Sequence, residues 1–175
     1  SGSGYLCSLV AYMLGVRAGD DEPLGVVHGI DYFEDNVESA KSHTAAWRQS
    51  ILNSPTPHPK RLPEIEYICG NGYQLDPASS MKYDLIYVGA AVPMVRKSFL
   101  REFLSTNEGS VLVAPVDAAF LKIVRLKDGT FQEQVICQVA FAPMLDPPGL
   151  TAPPMFTIKP QIAPAPGIPS VFISG

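Results

Sequence analysis

YDLIYVGAAVP, residues 83–93, is the stretch on which the fold turns. After Asp84, apolar, aromatic and β-branched residues run without a polar break and then give way to Gly89, Ala90 and Ala91. A run of that length reads as a strand buried on both faces, delivering the chain to small residues at its carboxyl end. Similar runs flank it. GVVHGI (25–30) ends on Asp31, IEYICGNGY (65–73) breaks at Asn71-Gly72, and GSVLVAPV (109–116) forms another strand. FLKIVRLKDGTFQEQVICQVAFAP (120–143) reads as a hairpin turning at Asp128-Gly129, a pair suited to a tight turn with positive φ.

Helices fall between the strands. YLCSLVAYML (5–14) is continuously apolar and predicts a buried helix ended by Gly15 and the acidic stretch Asp20, Asp21, Glu22. Val37, Ala40, Thr44, Trp47 and Ile51 form one stripe of a helix over 34–51. VRKSFLREFLS (95–105) places Phe99, Leu100, Phe103 and Leu104 inward. The prolines of NSPTPHPKRLP (53–63) make that segment an irregular exposed loop. This alternation predicts an α/β fold with a mostly parallel sheet, helices on both faces and an antiparallel C-terminal hairpin. Residues 143–175 hold nine of the 17 prolines, so 148–175 reads as an extended or disordered tail behind a domain spanning 1–147.

Composition narrows the function. A length of 175 residues, 46% hydrophobic and 17% charged, fits one domain with a core, and a net charge of −4 argues against a nucleic-acid partner. No apolar run is long enough for a membrane span. Cys7, Cys69 and Cys137 are far apart and odd in number, and the last two lie in apolar runs. They read as small hydrophobes in a reducing, cytoplasmic setting. His28, His43 and His58 lack ligand spacing with cysteine or carboxylate, so no metal is expected.

Ligands of an open parallel sheet bind beyond the carboxyl ends of its strands. Three features gather there: the turn SGSGYL (1–6), Asp31, and Asn71-Gly72. Glycines admit a ligand close to the backbone, a carboxylate can accept from both ribose hydroxyls, and the oxygen of Asn71 can accept from an adenine amino group. Each feature alone has a structural reading, Asp31 as a helix cap and Asn71-Gly72 as an ordinary turn. Cys7 stands where a dinucleotide fingerprint needs its third glycine, and no P-loop lysine follows.

On these residues the sequence resembles the protein-L-isoaspartate O-methyltransferase family. SGSGYL is similar to the second half of that family's first S-adenosylmethionine motif, GID (29–31) to its acidic post-motif, YDLIYVGAAVP to its second motif and GSVLVAPV to its third. VHGI, Gly70-Asn71, APVDAAFLKIVR and VAFAPM (139–144) resemble the methyltransferase-domain-containing subfamily more than the repair enzymes, which generally carry aspartate where this chain has Asn71. The resemblance implies a Rossmann-like methyltransferase fold and S-adenosylmethionine as cofactor. The implied cofactor-binding set is Ser1, Gly2, Ser3, Gly4, Asp31, Tyr32, Asn71, Gly72 and Gly89.

The implied reaction is methyl transfer to the carboxylate of L-isoaspartyl residues in damaged proteins, the ester then promoting succinimide closure and repair. A carboxylate nucleophile is already ionised, so alignment, not a general base, would carry catalysis. The alternative implied by the subfamily is a cofactor-binding, catalytically silent adaptor of a cullin–elongin ubiquitin ligase, although residues 148–175 carry no recognisable elongin box. By the same resemblance, the first, central strand and the substrate-binding Ser/Thr segment precede residue 1, so no catalytic residue is assigned. A sheet with that slot empty would bind cofactor weakly and transfer nothing.

Overall fold

The computed structural model describes residues 2–18, 23–144, 158 and 169–174. In chain order its elements are α1 (Tyr5–Ala18), β1 (Val26–Asp31), α2 (Glu34–Leu52), β2 (Ile65–Cys69), β3 (Leu85–Val88), α3 (Lys97–Arg101), β4 (Val111–Val116), β5 (Ala119–Arg125), β6 (Phe131–Gln138) and β7 (Ser170–Ser174). Short 3-10 turns occupy Gly72–Gln74 and Met94–Arg96. One seven-stranded sheet runs in the order β2-β1-β7-β3-β4-β5-β6. Neighbours from β2 through β4 are parallel, and β5 and β6 close the far edge antiparallel. This is the expected Rossmann-like arrangement.

Its centre is not as expected. The slot between β1 and β3 is filled by β7, from the Pro-rich stretch read as a tail. Val27 pairs with Val171 and Gly29 with Ile173 on one side, while Leu85 pairs with Val171 and Tyr87 with Ile173 on the other. All five residues of β7 are buried. Val171 and Ile173 join Cys7, Ala11, Val27, Val37 and Ala40 beneath α1 and α2. Phe172 points the opposite way, among Ile86, Leu100, Phe103 and Leu112 on the α3 face. Alternation into two cores is what a central parallel strand requires. At roughly 1.5–3 kcal/mol per buried apolar side chain, these three contribute on the order of 5–9 kcal/mol of transfer free energy.

Two expectations are corrected by that strand. The sheet has no empty slot, and the division into a domain of 1–147 and a separate tail fails at 170–174, which belong to the same sheet. The rest of the tail, 145–157 and 159–168, lies outside the described residues. Asp84 fixes the start of β7. Its Oδ2 accepts from the Ser170 amide at 3.0 Å and hydroxyl at 3.1 Å, and its Oδ1 from Ser105 Oγ at 2.6 Å and Asn107 Nδ2 at 2.8 Å. Burial raises the Asp84 pKa, but these donors outweigh it and leave the carboxyl below its ordinary value.

Smaller corrections have local causes. Helix α1 runs through Gly15 to Ala18, and the carbonyl of Arg61 packs 2.5 Å from where a Cβ on Gly15 would stand. Glycine there admits the loop and does not end the helix; the acidic stop at 20–22 lies outside the described residues. Only one face of α1 is buried, and Tyr5, Leu9, Met13 and Val16 are exposed. The helix read over 95–105 shortens to Lys97–Arg101 after a 3-10 turn, although Leu100, Phe103 and Leu104 still point inward. Cys69 and Cys137 are exposed because they occupy outward positions at a strand end and on the edge strand; Cys7 alone is buried.

Candidate functional site

β1 and β2 lead the chain one way across the sheet and β3 and β4 the other, so the order reverses at β7. A reversal of this kind opens a crevice beyond the carboxyl ends of the strands. A cavity of about 380 Å³ lies there, bounded by Gly2, Asp31, Tyr32, Phe33, Asn36, Gly70, Asn71, Gly72, Gly89, Ala90, Ala142, Pro143, Met144 and Ser174. Its size lies within the range of small-molecule sites.

Asp31 anchors the β1 side. Its Oδ2 accepts the Gly2 amide at 2.9 Å, and its Oδ1 accepts the Phe33 amide at 3.1 Å and Asn36 Nδ2 at 3.0 Å. Burial pulls its pKa up, yet the hydrogen bonds from Gly2, Asn36 and Phe33 prevail and hold it below the usual carboxylate value. The result is an ionised, oriented acceptor on the cavity wall. It ties the turn before α1 to the turn before α2, whose N-cap position is Phe33 and makes no side-chain cap. Tyr32 and Phe33 stand edge to face with ring centroids 5.3 Å apart, both substantially exposed.

On the β2 side, Asn71 is buried and its Oδ1 accepts the Tyr73 amide at 2.8 Å, capping the 3-10 turn. A carbonyl oxygen has two lone pairs, so that cap and a ligand donor can share it. Across the cavity, Met144 donates its amide to Ala91 O at 2.8 Å, and Ala91 returns one to Ala142 O at 2.8 Å. Residues Ala142–Met144 thus form a strap held by backbone bonds.

Six of the implied residues meet at this cavity: Gly2, Asp31, Tyr32, Asn71, Gly72 and Gly89. Ser3 and Gly4 do not. They border a separate groove of about 470 Å³ between α1 and α2, with Tyr5, Ser8, Leu9, Tyr12, His43 and Trp47. That groove lies away from the strand ends and its lining carries no carboxylate, so the smaller cavity is the candidate site. Gly4 has a packing role. At φ +79°, a Cβ there would stand 2.6 Å from Tyr67 Oη and 3.1 Å from the Ala40 carbonyl. Tyr67 Oη donates to Gly4 O at 3.3 Å and meets Thr44 Oγ1 at 2.6 Å, which in turn reaches Ser8 Oγ at 3.2 Å. Ser1 lies outside the described residues.

The sequence reading missed Asn36, the strap Ala142–Met144 and Ser174. Asn36 stands in the first turn of α2, five residues after Asp31, and could have been found as its partner. Among the described residues no three side chains of His, Cys, Asp or Glu converge as a metal site, and no helix is long and apolar enough to cross a membrane.

The family model for protein-L-isoaspartate(D-aspartate) O-methyltransferase (PCMT) matches residues 1–148. The chain belongs to this family. Two curated relatives, each a protein-L-isoaspartate O-methyltransferase of Methanococcus maripaludis (strains C6 and C7), are 32% and 31% identical over 83 residues, 46% of this chain and 37% of theirs. The chain thus matches well under half the length of these PCMT relatives. A crystal structure of a putative PCMT from Plasmodium falciparum in complex with S-adenosyl-L-homocysteine superposes with a TM-score of 0.52 at 19% identity, over 69% of this chain and 52% of that one. At that identity the likeness establishes the PCMT fold.

Proposed function

We propose that this chain is an S-adenosylmethionine-dependent methyltransferase domain acting on the carboxylate of L-isoaspartyl residues in damaged proteins. One observation carries the reading: a cavity at the switch point of the sheet, with an ionised, pre-oriented Asp31 on its wall and backbone-rich turns around it. The residues present suit an adenosyl cofactor. Gly2 has open space where a side chain would project, so its backbone is accessible, and Asp31 offers a carboxylate on the cavity wall that would accept from ribose hydroxyls. Tyr32 and Phe33 offer apolar surface to a purine, and Asn71 an acceptor for its amino group. Bound there, S-adenosylmethionine supplies an electrophilic methyl group on sulfur. The chain's task is to bind, orient and shield, since a substrate carboxylate needs no base.

Calorimetry with S-adenosylmethionine and transfer of labelled methyl to isoaspartyl and aspartyl forms of one peptide test the reading. Binding with transfer confined to the isoaspartyl peptide is expected. No binding sinks the cofactor site, and equal transfer to both peptides sinks the substrate assignment.

A further inference from the structure

The site is built from two half-sheets with no strand pairing between them. β1 and β2 bring Asp31 and Asn71, while β3 brings Gly89 and Ala90. β1 and β3 are both hydrogen-bonded to β7 and not to one another. With neighbouring strands about 4.8 Å apart, removal of β7 would leave a gap of roughly 10 Å across the floor of the cavity. Ser174 pairs with Ile30 on one side and Val88 on the other, flush with the strand ends that carry the site. Its carbonyl accepts the Gly89 amide at 2.7 Å, and so sets the turn after β3. Its side chain borders the cavity, the hydroxyl 3.7 Å from where a Cβ on Gly72 would stand.

We propose that β7 is a ligand-coupled element: docking of Ser170–Ser174 assembles the two half-sites into one, and Ser174 is itself a cofactor-contacting residue. The inference rests on the adenosyl-cofactor reading above. Ligand that bridges the β1 and β3 sides can bind only the docked form, so it must stabilise that form by an amount that grows with the logarithm of its concentration over its dissociation constant. An element of the sheet thereby becomes a determinant of affinity.

The test uses the full chain and S-adenosylhomocysteine as probe, reading affinity by calorimetry and amide hydrogen exchange across Val171–Ser174. Saturating probe is expected to slow exchange in these amides at least tenfold. Ser174→Leu, which places a larger apolar side chain at the cavity wall, is expected to weaken binding at least tenfold while the unliganded chain keeps its β7 protection. If that variant fails to fold, exchange on the unaltered chain decides the coupling, and Ser174→Ala, which removes only the hydroxyl, decides the contact: a loss of about threefold or more in affinity is expected, and unchanged affinity overturns it. Binding that leaves β7 exchange unchanged overturns the coupling, and a folded Ser174→Leu chain that binds like the unaltered one overturns the contact. Both outcomes leave the cofactor reading standing. No binding by the unaltered chain overturns the cofactor reading and this inference together.

Discussion

Acid should loosen the middle of this sheet, and His28 sets the size of the effect. Its ring is fully buried in β1, with Nδ1 2.8 Å from Tyr83 Oη. Nε2 lies 3.3 Å from Glu66 Oε2 without hydrogen-bond geometry. Burial lowers the His28 pKa from 6.5 to about 4. The unfolded chain therefore takes up a proton first as pH falls, and stability drops between about pH 6.5 and pH 4. Linkage across that gap gives a loss of about 2 kcal/mol at pH 5 relative to pH 8, approaching about 3 kcal/mol at lower pH. Urea denaturation at several pH values, on this chain and on His28→Leu, isolates the group because the carboxylates are common to both. The unaltered chain should lose about 2 kcal/mol more than the variant between pH 8 and pH 5. Equal slopes would refute the argument. A smaller loss in the unaltered chain would show that attraction to Glu66 outweighs desolvation and that the sign is reversed.

Asp31→Asn should keep the fold and weaken S-adenosylmethionine binding by about 10–100-fold, the worth of hydrogen bonds to a charged group, as measured by calorimetry. Gly4→Ala combines positive φ with a collision at Tyr67 Oη and the Ala40 carbonyl, so it should cost about 2 kcal/mol or more in chemical denaturation. Gly72→Ala meets only the flexible end of Met144, 2.5 Å away, and should cost under about 1 kcal/mol in the same assay. Asp84 has a lowered pKa, so its clamp on β7 is complete above the unfolded value near about 3.9 and is lost as pH falls through the folded one. Asp84→Ala should accelerate hydrogen exchange at Ser170 at neutral pH and abolish that acid-dependent step; unchanged exchange would show that the clamp is idle.

Much of this could be read from local pattern. The strands at GVVHGI, YDLIYVGA and GSVLVAPV, and the stripe on α2, announce themselves because periodicity and breakers act over neighbouring residues. Asp31, Asn71 and Gly89 were legible for the same reason, since each ends an apolar run. β7 was not. SVFIS is a short apolar run behind a proline, and only pairing with β1 and β3, far back in the chain, makes it a strand. Composition therefore assigned it to its Pro-rich surroundings. Ser3 and Gly4 failed differently. Their spacing marks a turn, but which side faces the ligand depends on how α1 packs against Tyr67 and Ala40.

The placing of β7 also has a consequence for how the protein is made. The six other strands leave the ribosome before it, yet the middle of the sheet stays open until Ser170–Ser174 emerges. Until then β1 and β3 each present an unpaired edge over apolar surface, a state prone to pairing with the wrong strand. Completion must therefore wait until the strand last in chain order among those described has emerged, and a chaperone able to shield a sheet open along its midline would find its substrate in that interval.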